Sequence, residues 1–406
     1  MTRTMQDPPD DVIVHDEPLA AALPPKRRSR RRLLMAGGSA LAVLAAVIGV
    51  AVASGRSSTD VRQAGVGSPA DEPAAPPTTA APAPAPAATP APAPAAPAAA
   101  PAAAAQSCPA ASANPPGPRF GSAVAIDPSG LVVVGGRGSD FADKAETWAF
   151  GCGHWGNRAP SVAPPADLGA VAAYDAARGA TVLLAADGTT WTWSANAWTA
   201  RHPAASPPKL SSALAVYDDV RQKVLVVGSA MSGGGFEAWA WDGATWAKAG
   251  GAGATPDPRS AAALAFDSVR GTAVLFGGMP GDTGAGLSDT WTFDGSSWTK
   301  RAPAHTPPGG PATAAFDAVR ANVVALVGNG ETWTWNGNDW AKQAPASSPG
   351  RRLFTSMAWV PGLNRVVVFG GKVVRTASSP GTNTKADEEI VNDLWAWDGS
   401  AWSKLA

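Results

Sequence analysis

Bulky apolar positions recur in a fixed order along the last three-quarters of the chain. A Trp is followed seven residues later by another Trp six times over: Trp148 and Trp155, Trp191 and Trp198, Trp239 and Trp246, Trp291 and Trp298, Trp333 and Trp340, Trp395 and Trp402. Two positions after the first member of each pair stands a further aromatic, Phe150, Trp193, Trp241, Phe293, Trp335 or Trp397. A period of two puts those first two aromatics on one face of a strand. Asp242-Gly243, Asp294-Gly295, Asn336-Gly337 and Asp398-Gly399 then separate them from the second Trp, and such dipeptides favour tight hairpin turns. Each unit is predicted to contain a hairpin bearing three large aromatics.

Two more elements precede each hairpin. The first is an alternating run of small and apolar residues ending at an acidic turn, such as Ala263-Leu264-Ala265-Phe266-Asp267. The second is a β-branched run, such as Val132-Val133-Val134-Gly135-Gly136 or Val366-Val367-Val368-Phe369-Gly370-Gly371. Four short strands repeated in order predict blades stacked around an axis, here six of them, over 119–159, 166–202, 209–249, 259–303, 311–345 and 352–404. A Trp recurring at one position in every blade has packing between sheets as its expected role. Asp175, Asp218, Asp267 and Asp317 recur at one turn and are read as turn formers.

The double glycine after the second strand, the aromatic third strand and the Trp opening the fourth resemble the kelch and galactose-oxidase-like propellers, over roughly residues 119–404. The resemblance implies an all-β, six-bladed kelch-like β-propeller. Ala185-Ala186, Gly228-Ser229 and Gly328-Asn329 stand where the double glycine is expected, which weakens transfer of function from the family. A galactose-oxidase-type copper centre would need converging His and Tyr ligands. Tyr174 and Tyr217 are the only tyrosines, and they occupy the position that Phe266 and Phe316 fill in other blades. His154, His202 and His305 fall near blade edges. We assign no catalytic, cofactor or metal residues.

The N-terminal third follows another pattern. Residues 1–32 are polar and end in a basic cluster, Lys26 to Arg32, and Leu33 to Ala53 is an uncharged run of about 21 residues. That length matches the ~20 residues needed to cross a bilayer as a helix. Basic residues stay inside, so a transmembrane helix over 33–54 would leave the N-terminus cytoplasmic and the propeller extracytoplasmic. A twin-arginine-like motif and Ala51-Val52-Ala53 support the alternative, secretion after cleavage near Ala53. Residues 55–118 form an Ala/Pro-rich linker, disordered and extended, ahead of the propeller at 119–406. All 17 Trp lie beyond it, and the formal net charge of +0 gives no field to draw nucleic acid. Cys108 and Cys152 are the only cysteines, in a compartment where a disulfide can form. Such a bond would carry the N-terminal segment across the rim of the propeller.

Loops between second and third strands vary most, and insertions on a repeat scaffold collect on a binding face. Residues expected there are Arg137, Asp140 and Asp143; Met279 and Asp282; and Arg375, Lys385, Asp387, Glu388 and Glu389 in the long insertion of the sixth unit. The resulting expectation is a membrane-anchored binding module for an envelope protein or glycan, with no enzymatic activity. The alternatives are a carbohydrate-active enzyme on the same scaffold and a structural envelope protein.

Overall fold

The computed structural model describes residues 108–165, 168–251, 253–281, 284–375 and 387–406. The predicted tail, membrane span and linker up to residue 107 lie outside the described residues, as do Asp282 and Lys385. Among the described residues no helix is long and apolar enough to cross a membrane.

The fourth unit shows how these residues make a blade. Its strands Ala263–Asp267, Thr272–Phe276, Thr290–Phe293 and Trp298–Arg301 pair antiparallel in chain order. The Asp267 turn closes the first pair, with Asp267 opposite Thr272, and the Asp294-Gly295 hairpin sets Phe293 opposite Trp298. Four further sheets repeat this order. Blade six departs from it: Arg352–Leu353 and Ser356–Val360 both pair with Arg365–Arg375, which pairs in turn with Asp387–Trp397.

Six apolar clusters form the core, each shared by two neighbouring blades. The last closes the ring: Val133, Phe150 and Trp155 of blade one meet Val367, Phe369 and Leu394 of blade six, with the Trp155 and Phe369 rings 5.1 Å apart. Blade one lends no strand to blade six, so closure is by packing. Fully burying a ~200 Å² indole is worth about 5 kcal/mol before entropy is subtracted, which is why one buried Trp pair per blade can hold a ring of thin sheets.

Polar bonds supplement the packing. The second Trp of a blade donates its indole N–H to a Thr of the preceding blade: Trp198 to Thr147, Trp246 to Thr190, Trp340 to Thr290 and Trp402 to Thr332, at 2.8–2.9 Å. Ala238 and Leu394 hold the Thr position in blades three and six, and the buried Trp155 indole N–H finds no acceptor among the described residues. On the face bearing the Asp turns, Arg178, Arg221, Arg270 and Arg320 pair with Asp175, Asp218, Asp267 and Asp317 at 2.6–2.9 Å. These four Args lie against Gly243, Gly295, Gly337 and Gly399 of the next blade, where a Cβ would fall inside the guanidinium group. The hairpin glycines therefore serve the turn, where φ is +91° to +100°, and also seat a neighbour's arginine.

Cys108 is disulfide-bonded to Cys152 in the hairpin of blade one, with the Cα atoms 5.7 Å apart. The following segment runs along the outer strand, His154–Asn157: His154 Nε2 donates to Pro109 O at 2.6 Å and Ser112 N to Trp155 O at 2.8 Å. A Cβ on Gly156 would strike Pro109 and Ala110, where other blades carry Ala, Thr or Ser. Further on, Asn392 of blade six donates to Pro116 O at 2.8 Å. The segment thus crosses from the turn face to the opposite face at the closure between blades six and one.

Candidate functional site

Loops between second and third strands lie on the face opposite the Asp turns, termed here the loop face. Blade six dominates it, because its two central strands run 11 residues each against 4–8 in the other blades. The excess is a two-stranded ribbon in which Val373 opposes Glu389 and Arg375 opposes Asp387, while Lys372 opposes Ile390 and Val374 opposes Glu388. Strand alternation puts the first set on one side and the second on the other.

On the first side lies a polar cleft of about 340 Å³, lined by Arg352, Arg375, Glu389, Asn392, Asp393 and Lys404 among others. Its base is the buried Arg352, which is held by Asp393 at 2.9 and 3.3 Å and donates to Gly370 O and Pro349 O. Arg375 and Glu389 pair at its mouth. A cleft of equal volume between blades three and four is lined by Arg221 and Lys248, and these cations are already paired with Asp218 and Glu237.

On the second side, Lys372 Nζ pairs with Glu388 at 3.7 Å. It also lies 4.4 Å from the Phe120 ring centroid and 5.7 Å from that of Phe141, both within cation–π range. Phe141 caps the blade-one loop that contains the expected site residues. Arg137 grips Asp143 through two bonds, at 2.7 and 3.1 Å, and Lys144 pairs with Asp140 at 2.7 Å. The Asp143 hydrogen bond raises the Arg137 pKa, and bonds from Lys144 and the Ala142 N–H lower that of Asp140.

The structure therefore brings the loop of Arg137, Asp140 and Asp143 beside Lys372 and Glu388 at the closure of blades one and six, while Arg375 and Glu389 line the cleft on the other side of the ribbon. Met279 is three blades round from blade one, its backbone bridged to Ser260. Trp359 packs in the cluster shared by blades five and six. Tyr174 and Tyr217 pack in the clusters of blades one–two and two–three, and burial raises both phenol pKa values. His305 pairs with Asp339.

Sequence reasoning missed one recurrent group. Glu146, Glu237, Asp289, Glu331 and Asp393 each accept the indole N–H of the Trp two residues on, at 2.7–3.1 Å. Each also binds a cation. In blades with the double glycine it is a buried Arg119, Arg259 or Arg352, which also caps the first glycine's carbonyl. In blades three and five it is Lys248 or Lys342 of the fourth strand. Burial would raise the carboxyl pKa values of Glu146, Glu237 and Asp289, but hydrogen bonds from cation and indole outweigh it and hold them low. For Glu331 the Lys342 bond is the largest cause of a lowered pKa. The signal was available: each of these arginines stands eight residues before the end of the first strand, at Asp127, Asp267 or Val360.

No protein-family model and no curated protein matches the chain. Its fold is similar to that of YjhT. That solved structure aligns at a TM-score of 0.48 and 14% identity, covering 72% of this chain and 99% of its own. The six-bladed β-propeller itself stands on the sheet order and the closed ring of clusters described above.

Proposed function

We propose that the chain is a kelch-like propeller, tethered to the membrane by residues 33–54 and held outside the cell, that binds a component of the cell envelope through its loop face. One observation carries this reading: the blade-six ribbon rises over that face with a polar cleft on one side and an aromatic–ammonium stack on the other. The apolar core does not extend into it, since the shared clusters of blades five, six and one end below the ribbon. Rigid scaffolds carrying variable loops are a common basis for recognition.

Capture of the full-length chain on isolated envelope fractions tests the reading. Replacing residues 374–388 by an Asn-Gly turn rejoins Val373 and Glu389, which already face each other. The shortened protein should unfold at the wild-type temperature and lose capture. Undiminished capture would place the ligand elsewhere.

A further inference from the structure

Only two aromatic side chains among the described residues are exposed, Phe141 at 65% and Phe354 at 43%. They are also the only aromatics with left-handed backbone, at φ +57° and +52°. A bulky residue in that region is a genuine outlier, and such strain concentrates at ligand clamps.

Comparing blades sharpens the point for Phe354. Six residues before the end of the first strand, four of the other five blades place Gly121, Gly169, Ser212 and Ala261 at positive φ, while blade five has Pro311. A left-handed residue therefore recurs there in five of the six blades, and four of them fill the position with small side chains. Blade six uses a Phe and leaves the ring in solvent.

Both rings belong to one stack. Phe354 lies 5.9 Å from the Phe120 ring, Lys372 Nζ sits 4.4 Å over Phe120, and the same ammonium is 5.7 Å from the Phe141 ring. Four elements fix it: the doubly bonded Arg137–Asp143 pair, the Asp140–Lys144 pair, the ribbon and the Gly121 N–H bond to Phe354 O at 2.9 Å.

We propose that Phe141 and Phe354 are stacking platforms for a neutral oligosaccharide laid across the closure of blades six and one. This rests on the reading of the loop face as the ligand face. Each exposed ring is a small apolar disc, about the size of one pyranose C–H face, with ions around it. A protein hot spot would need a continuous desolvated pocket, whereas an oligosaccharide alternates apolar faces with hydroxyls. Glu388, on the same ribbon side as Lys372, supplies a carboxylate acceptor for those hydroxyls.

Isothermal titration of the full-length chain with a β-1,4-linked glucose hexamer, an N-acetylglucosamine hexamer and an α-1,6-linked mannose hexamer tests this. At least one should bind, and Phe141→Ala or Phe354→Ala should each weaken it about fivefold, as expected for loss of one stacking partner. Val220→Ala, on the turn face, should bind as wild type. Phe354→Gly removes ring and strain together, so it should melt no lower than wild type yet bind weakly. Absence of binding by every hexamer at about 5 mM, or wild-type binding by Phe141→Ala/Phe354→Ala, overturns the proposal. Envelope capture persisting in that case would leave the loop-face reading standing with a protein ligand.

Discussion

The indole N–H of Trp340 donates to Thr290 of the preceding blade at 2.9 Å, with both groups buried. Thr290→Val keeps the shape and orphans that donor, an expected loss of ~1–3 kcal/mol in denaturant unfolding. Trp155 has no such acceptor among the described residues, so Trp155→Phe should cost less than Trp340→Phe. Equal costs would show that these bonds contribute nothing beyond packing.

Arg270 and Gly337 should be coupled. Gly337→Ala places a methyl group in the Arg270 guanidinium and strains a φ of +96°; Arg270→Ala removes only the first problem. A double-mutant cycle is expected to give a coupling of about 0.5–3 kcal/mol, with the double variant more stable than the sum of the single losses. Simple additivity would mean that arginine and glycine do not meet.

Breaking the buried Arg352–Asp393 pair should be severe. Asp393→Asn leaves the Arg352 charge buried, its side chain being 1% exposed, an expected cost of roughly 3–5 kcal/mol. Arg375→Ala, at the exposed mouth of the same cleft, should change stability by less than about 1 kcal/mol. Urea unfolding of the two variants checks the contrast.

Acid should erode stability in a defined window. Hydrogen bonds from Ser296 and Ser297 outweigh burial and hold Asp294 at about 2, below its ordinary 3.8. The folded pKa is the lower one, so this contribution is complete above about pH 4–5 and lost as pH falls towards 2. Glu146, Glu237, Asp289 and Glu331 are depressed in the same sense. The melting temperature should fall across that window, and Asp294→Asn should flatten its part of the slope. A melting temperature independent of pH between 5 and about 2 would contradict these assignments.

Reduction should loosen the ring at its closing boundary. Between blades six and one there is neither a Trp–Thr bond nor an Arg seated on a hairpin glycine, and the segment after Cys108 spans that gap. Cys108→Ser/Cys152→Ser should lose about 2–4 kcal/mol, seen as a lower melting temperature matched by wild type in a thiol reductant. An unchanged value would mean that packing alone closes the ring.

The aromatic hairpins were readable in the sequence because strand alternation and turn chemistry act over ten residues. The Asp turns were readable as turns, but the reach of their arginines between blades was not, since Arg270 contacts Ala321 O, some 50 residues away, as well as its neighbour Asp267. Arg119, Arg259 and Arg352 share a legible offset, but their carboxylate partners, 27, 30 and 41 residues on, were hidden for the same reason. The loop charges could be found but not their pairing: Arg137 and Asp143 neutralise one another. Phe354 escaped because left-handed backbone recurs at its position in most blades but not in blade five, and only alignment with Gly121, Gly169, Ser212 and Ala261 shows a ring where a small side chain suffices.

The sulfur bridge also sets a load path. Any tension arriving along the chain from its N-terminal side enters the propeller at Cys108 and passes through a covalent bond into the Cys152 hairpin. Residues 109–118, hydrogen-bonded to blades one and six, then carry none of that load. A pull that could otherwise peel the ring apart is borne as tugging on one intact sheet, with the loop face turned away from the anchor point.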